Sequence, residues 1–149
     1  MSSIHQWVSF FHITWLGSLP SRIHTGDNPT YIRSWWEVSS RKTLRTAESI
    51  SDIDDSAAKW IPYNKGGGCY RWYGYYEFVL AFDKYSREEM AKLKSHVRPS
   101  QNLYFLAGAT WSDIGTKGFG VKYYPKGFLF DQKGPACVSQ NIYHLISAI

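Results

Sequence analysis

Residues 59–82 read KWIPYNKGGGCYRWYGYYEFVLAF, and this stretch constrains the fold more than any other. Pro62 excludes a continuous helix, residues 64–68 carry turn chemistry, and the rings and branched side chains that follow favour extended backbone. A hairpin or strand–loop–strand is the expected unit, with three successive glycines at its bend. Lys59, Lys65 and Arg71 surround those glycines, and tryptophans and tyrosines crowd both arms.

The rest of the chain is compatible with one domain built on that unit. With 149 residues, 44% of them hydrophobic and 19% charged, it can bury a core but not two substantial ones. Aromatic residues make up 17%, and amphipathic rings gather where a surface grips a partner. The formal net charge of +5 suits a polyanionic partner without requiring one. Cys69 and Cys137 lack zinc-site spacing, so two reduced thiols in a cytoplasmic protein are expected. No window approaches the roughly 18 consecutive apolar residues of a membrane span. Residues 1–21 lack the basic start of a signal peptide and read as a leader to a domain covering 22–149.

The expected fold class is α+β, with mixed, mostly antiparallel strands and two or three helices. Asp27 or Asn28 can cap a helix with Pro29 in its first turn, running to Ser39–Ser40 with Ile32, Trp35 and Trp36 on one face. Residues 41–58 read as a solvated connection with a short helical turn. Ser86 and Glu89 form a capping pattern for a second helix, whose face carries Met90, Leu93 and Val97 before Pro99 ends it. Residues 102–112 read as a strand, and short strands with glycine turns follow. Residues 138–149 read as a final helix.

The sequence disfavours several reaction chemistries. A phosphate-cradling loop needs its glycines followed by Lys-Ser/Thr and a helix, whereas here the lysine precedes them and a strand pattern follows. Asn28-Pro29-Thr30-Tyr31 differs at one position from the loop with which amino-group methyltransferases hold a flipped base. Only 27 residues precede it, too few for a cofactor-binding fold, and helix capping explains the same residues. Asp52, Asp54 and Asp55 lack the glycine and distal glutamate of a calcium loop and read as a solvated face.

A binding surface remains. Glycines such as Gly66 and Gly67 let backbone approach a polyanion closely. The phosphate-contact candidates are Lys59, Lys65, Arg71, Lys117, Lys122 and Lys126. Trp60, Tyr63, Asn64, Arg71, Trp72 and Trp111 are candidates for base or groove contact, Asn64 because its amide can pair with adenine. Arg71 stands in both sets. A flexible turn with solvated lysines and rings packed in a sheet accounts for the same composition.

The segments GDNPTYIRSWWEVS, KWIPYNKGGGCYRWYG, RPSQNLYFLAGATWS and FGVKYYPKGFLFDQKGPA occur in this order. Together they resemble the target-recognition region of large adenine-specific DNA methyltransferases, in particular the PglX family of BREX phage-defence systems and the related type IIL restriction–modification enzymes. The resemblance runs from about Arg22 to the C-terminus. It implies recognition of double-stranded DNA for adenine-N6 methylation. It also implies that S-adenosylmethionine and the catalytic loop belong to a part of the family protein absent here, so no cofactor and no methyl transfer are expected of this chain alone. A fragment, split gene or remnant is the expectation. Its expected partners are double-stranded DNA and a methyltransferase catalytic subunit or other defence-system proteins, without a membrane. A protein–protein interaction module, or an inactive remnant, is the alternative.

Overall fold

The computed structural model describes residues 23–66, 72–74, 76–111, 121–131 and 136–138. It is an α+β domain with three α-helices and two sheets among these residues. Helix α1 (Asn28–Tyr31) leads directly into strand β1 (Ile32–Ser34). Helix α2 (Ile50–Asp54) precedes β2 (Trp60–Asn64), and β3 (Phe78–Ala81) precedes helix α3 (Lys84–Ala91). Strands β4 (Gly108–Thr110), β5 (Lys122–Tyr124), β6 (Leu129–Phe130) and β7 (Ala136–Cys137) complete the order.

The first sheet runs β1-β3-β2-β6 and the second β5-β4-β7. All pairings are antiparallel except β2 with β6. The expected hairpin exists as β2 against β3, with Ile61 opposite Leu80 and Tyr63 opposite Phe78. Its second arm starts later than the aromatic run indicates. Trp72 instead bridges to Lys122, donating to the Val121 carbonyl and accepting from the Tyr123 amide. The glycine-rich connection is therefore tied to the second sheet at Trp72.

The core lies on the face of the first sheet that carries Ile32, Ile61, Tyr63 and Leu80, closed by Ile53, Phe82, Met90, Tyr104, Phe128 and Phe130. Asn64 joins the sheets, its side-chain amide donating to Thr110 Oγ1 at 2.7 Å. Tyr63 Oη donates to Asp131 Oδ2 at 2.9 Å, fastening β2 to the end of β6.

Two helical expectations are corrected. The first helix stops at Tyr31 because Ile32, Arg33 and Ser34 pair with Leu80, Val79 and Phe78 of β3. A separate 3₁₀ turn follows at Trp35–Glu37, and both tryptophans are half exposed or more instead of lining a core face. The α3 cap is Asp83, whose side chain accepts from the Ser86 amide, and the helix ends at Ala91. Val97 lies beyond it, in a bridge to His24. Of the strand expected over 102–112, the described residues form strand β4 alone; residues 101–103 form a 3₁₀ turn. The C-terminal helix expected over 138–149 falls almost wholly outside the described residues.

Candidate nucleic-acid interface

The Asn28-Pro29-Thr30-Tyr31 segment is occupied with local structure. Asp27 caps α1 by accepting from the Thr30 amide and hydroxyl, while Asn28 Oδ1 accepts from Thr25 Oγ1 at 2.6 Å. Asp54 accepts from Arg87 Nη2 through both carboxylate oxygens, and Asp52 caps α2. Among the described residues no cluster of His, Cys, Asp and Glu is placed to hold a metal.

On its second edge β2 has two partners with a gap between them. Leu44 donates to the Trp60 carbonyl at one end, and β6 pairs with Tyr63 and Asn64 at the other. Pro62 lies between and has no amide hydrogen to offer a third partner. A groove of about 580 Å³ opens there, floored by Pro62 and Val79. One wall is the 43–48 segment with Arg45, and the other is the turn after β5 with Lys126. Trp35, Tyr76, Phe78 and Phe128 supply the rings. Gly127, at φ +87°, lets that turn lie against the Arg45 carbonyl.

Tyr73, Tyr76 and Phe128 form a path of ring contacts. Tyr73 meets Tyr76 edge-on at 5.2 Å, and Tyr76 lies 5.1 Å from Phe128. Tyr76 Oη donates to the Tyr123 carbonyl, and burial pushes its pKa up to about 12. This hydroxyl is therefore a structural donor, not a proton carrier at neutral pH. Lys65 sits 5.1 Å over the Phe78 ring, and Phe78 also borders a second hollow of about 250 Å³ lined by Arg33 and Lys65. Phe78 thus joins the two depressions.

The structure sorts the sequence candidates by exposure. Lys59, Lys126 and Trp72 are exposed, and Trp60, Lys65 and Trp111 are partly so. Lys59 and Lys65 flank opposite ends of β2, roughly 20 Å apart along an extended strand. Three side-chain candidates are corrected. Tyr63 is 1% exposed, Asn64 3% and Lys122 1%, so the fold uses these polar groups internally and withdraws them from surface contact. Gly66 is also buried, its φ of +70° serving the bend after Asn64. Gly67, Arg71 and Lys117 lie outside the described residues.

No family model matches the chain. Over 129 residues, 83% of its length, it is 33% identical to the adenine-specific methyltransferase BrxX of Escherichia coli O9:H4 (strain HS). Over 119 residues, 74% of its length, it is 34% identical to the adenine-specific methyltransferase PglX of Lacticaseibacillus casei (strain Zhang). The chain is a relative of adenine-specific methyltransferases. It spans about a tenth of the length of either protein. Among the described residues no helix is long and apolar enough to cross a membrane.

In this methyltransferase relative, sequence reasoning missed Trp35, Arg33 and Arg45. A local signal for Trp35 existed: Ser34-Trp35-Trp36-Glu37 has helix-start spacing, and Glu37 Oε2 accepts from the Ser34 amide at 2.6 Å. Arg45 had no local signal, because its place on the groove depends on how the 43–48 segment meets β2.

Two carboxylates, Glu37 and Asp52, each close a capping box with a serine three residues earlier. Hydrogen bonds from the Ser49 hydroxyl and the Glu48 amide lower the Asp52 pKa, and bonds from Ser34 lower that of Glu37. A depressed folded-state pKa contributes stability above the unfolded carboxylate value, and this is lost as pH falls through the folded value. Thermal stability is therefore expected to drop on acidification below about pH 4. Melting of a Glu37→Gln, Asp52→Asn variant should show a shallower acid slope than the parent; identical slopes would refute this assignment.

Proposed function

We propose that this chain is a recognition element for double-stranded DNA, serving adenine-N6 methylation in a phage-defence system of the BREX or restriction–modification kind. The similarity to adenine-specific methyltransferases carries the reading. The grooved surface with its cations is where DNA contact is proposed. Lys65 and Lys126 contact phosphate there with Arg45, and Lys59 extends the track along β2. Trp72 is the leading groove-contact candidate. It is 52% exposed at φ +74°, a costly conformation for a bulky residue that two backbone bonds hold in place. Trp60 and Trp111 remain secondary candidates.

The catalytic machinery and S-adenosylmethionine are assigned to a partner methyltransferase portion. The experiment is a salt titration of binding to random-sequence duplex DNA. Affinity should fall log-linearly with salt, and Lys65→Ala with Lys126→Ala should flatten the slope by about two phosphate equivalents. Binding indifferent to salt would reassign the surface to a protein partner, and absence of binding at low salt would overturn the proposal.

A further inference from the structure

We infer that the groove above Pro62 binds a single unstacked nucleotide. This rests on the DNA-recognition reading and names a ligand for part of the same surface.

The argument starts from what a paired duplex can offer. Its base faces are covered by neighbouring bases; only base edges and phosphates are accessible. An aromatic ring gains its full stacking contact only from a base face, which becomes available when a nucleotide leaves the stack. The groove is concave and of small-molecule size, within the roughly 300–1,000 Å³ of typical ligand sites. Trp35 stands at it 50% exposed, with its backbone amide bonded to the Glu77 carbonyl at 2.9 Å. The indole is thus presented from a backbone anchored to the sheet.

The charges suit a nucleotide as well. Arg45 and Lys126 line the groove together with Glu48, whose charge is opposite. Lys126 Nζ lies 3.8 Å from Glu48 Oε1, and both side chains are more than two-thirds exposed. Such a pair holds its partners weakly, so a phosphate can take Lys126 from Glu48. A stacked duplex would leave the Trp35 ring without a base to stack on; an unstacked base over Trp35 uses that ring while its phosphate meets Lys126 or Arg45.

The intact chain should be titrated with three probes of one sequence: a paired duplex, the same duplex with one bulged 2-aminopurine, and the single strand containing that base. The bulged duplex is expected to bind about tenfold tighter than the paired one, with quenching of 2-aminopurine fluorescence. Trp35→Ala should reduce that preference to near unity, and Trp35→Phe should retain most of it. Single strand as tight as the bulge would support any unstacked nucleotide as ligand; bulge tighter than single strand would support one flanked by duplex. Equal binding of bulged and paired duplexes without quenching would overturn this inference and leave the DNA reading standing. Failure to bind any probe would overturn both.

Discussion

Gly127→Ala is expected to destabilise the domain by about 3–5 kcal/mol, combining backbone strain with overpacking. The residue sits at φ +87°, where an L side chain is disfavoured, and an added Cβ would lie 2.3 Å from the Arg45 carbonyl oxygen. Neither side yields cheaply. The Gly127 amide donates to the Phe105 carbonyl at 2.9 Å, and Phe105 in turn bonds Phe128. For a chain of this length each kcal/mol lowers the melting temperature by about 3 °C, so a loss near 10 °C should appear in a thermal scan. The same contact separates the walls of the groove. A variant that retains its melting temperature would show that the turn does not lie against Arg45.

The second large effect is expected at Arg87. Its side chain is nearly buried, donating to the Phe82 carbonyl at 2.6 Å and to both Asp54 oxygens at 2.6 and 2.8 Å. The guanidinium also lies 5.5 Å over the Phe82 ring. Arg87→Ala removes all of these and opens space beside the core, for an expected loss of about 3 kcal/mol. Asp54 is one-third exposed and can recover water, which keeps the cost below that of a fully buried broken pair. Arg87→Lys should recover less than half, because a single ammonium nitrogen cannot reach both Asp54 and the Phe82 carbonyl, which Nη2 and Nη1 serve separately. Chemical denaturation of the three proteins measures this; equal midpoints for Lys and Arg would reject the pair of guanidinium nitrogens as the source of stability.

The β2–β3 pair was legible because its information is local. Pro62, the glycines and the branched run ending at Ala81 all favour extended chain around a bend. The cap of α1 was legible for the same reason, since Asp27 meets an amide three residues away, whereas α2 was legible only as a short helical turn without its Ser49 cap. Strand β1 was not. Asn28 to Glu37 carries helix-compatible spacing throughout, and only the unpaired edge of β3 turns Ile32–Ser34 into a strand.

The proposed interface divides along the same line. Residue types alone marked a basic, aromatic surface, and the motifs tied it to adenine-specific methyltransferases. They could not separate Lys65 from Lys122, or Trp72 from Tyr63, because each pair is chemically alike. Exposure separates them: Lys65 rests over Phe78 at the surface while Lys122 is buried in the second sheet. Asn64 shows the limit best. Its amide suits adenine, yet the fold directs it to Thr110 between two sheets.

The sequence by itself determined the α+β class, the β2–β3 unit, the capped start of α1 and the relationship, since these depend on near neighbours and ordered motifs. Tertiary structure alone decided which cations and rings face outward and where the groove opens. Those depend on contacts between residues such as Arg45 and Gly127, more than eighty positions apart, that no local pattern encodes.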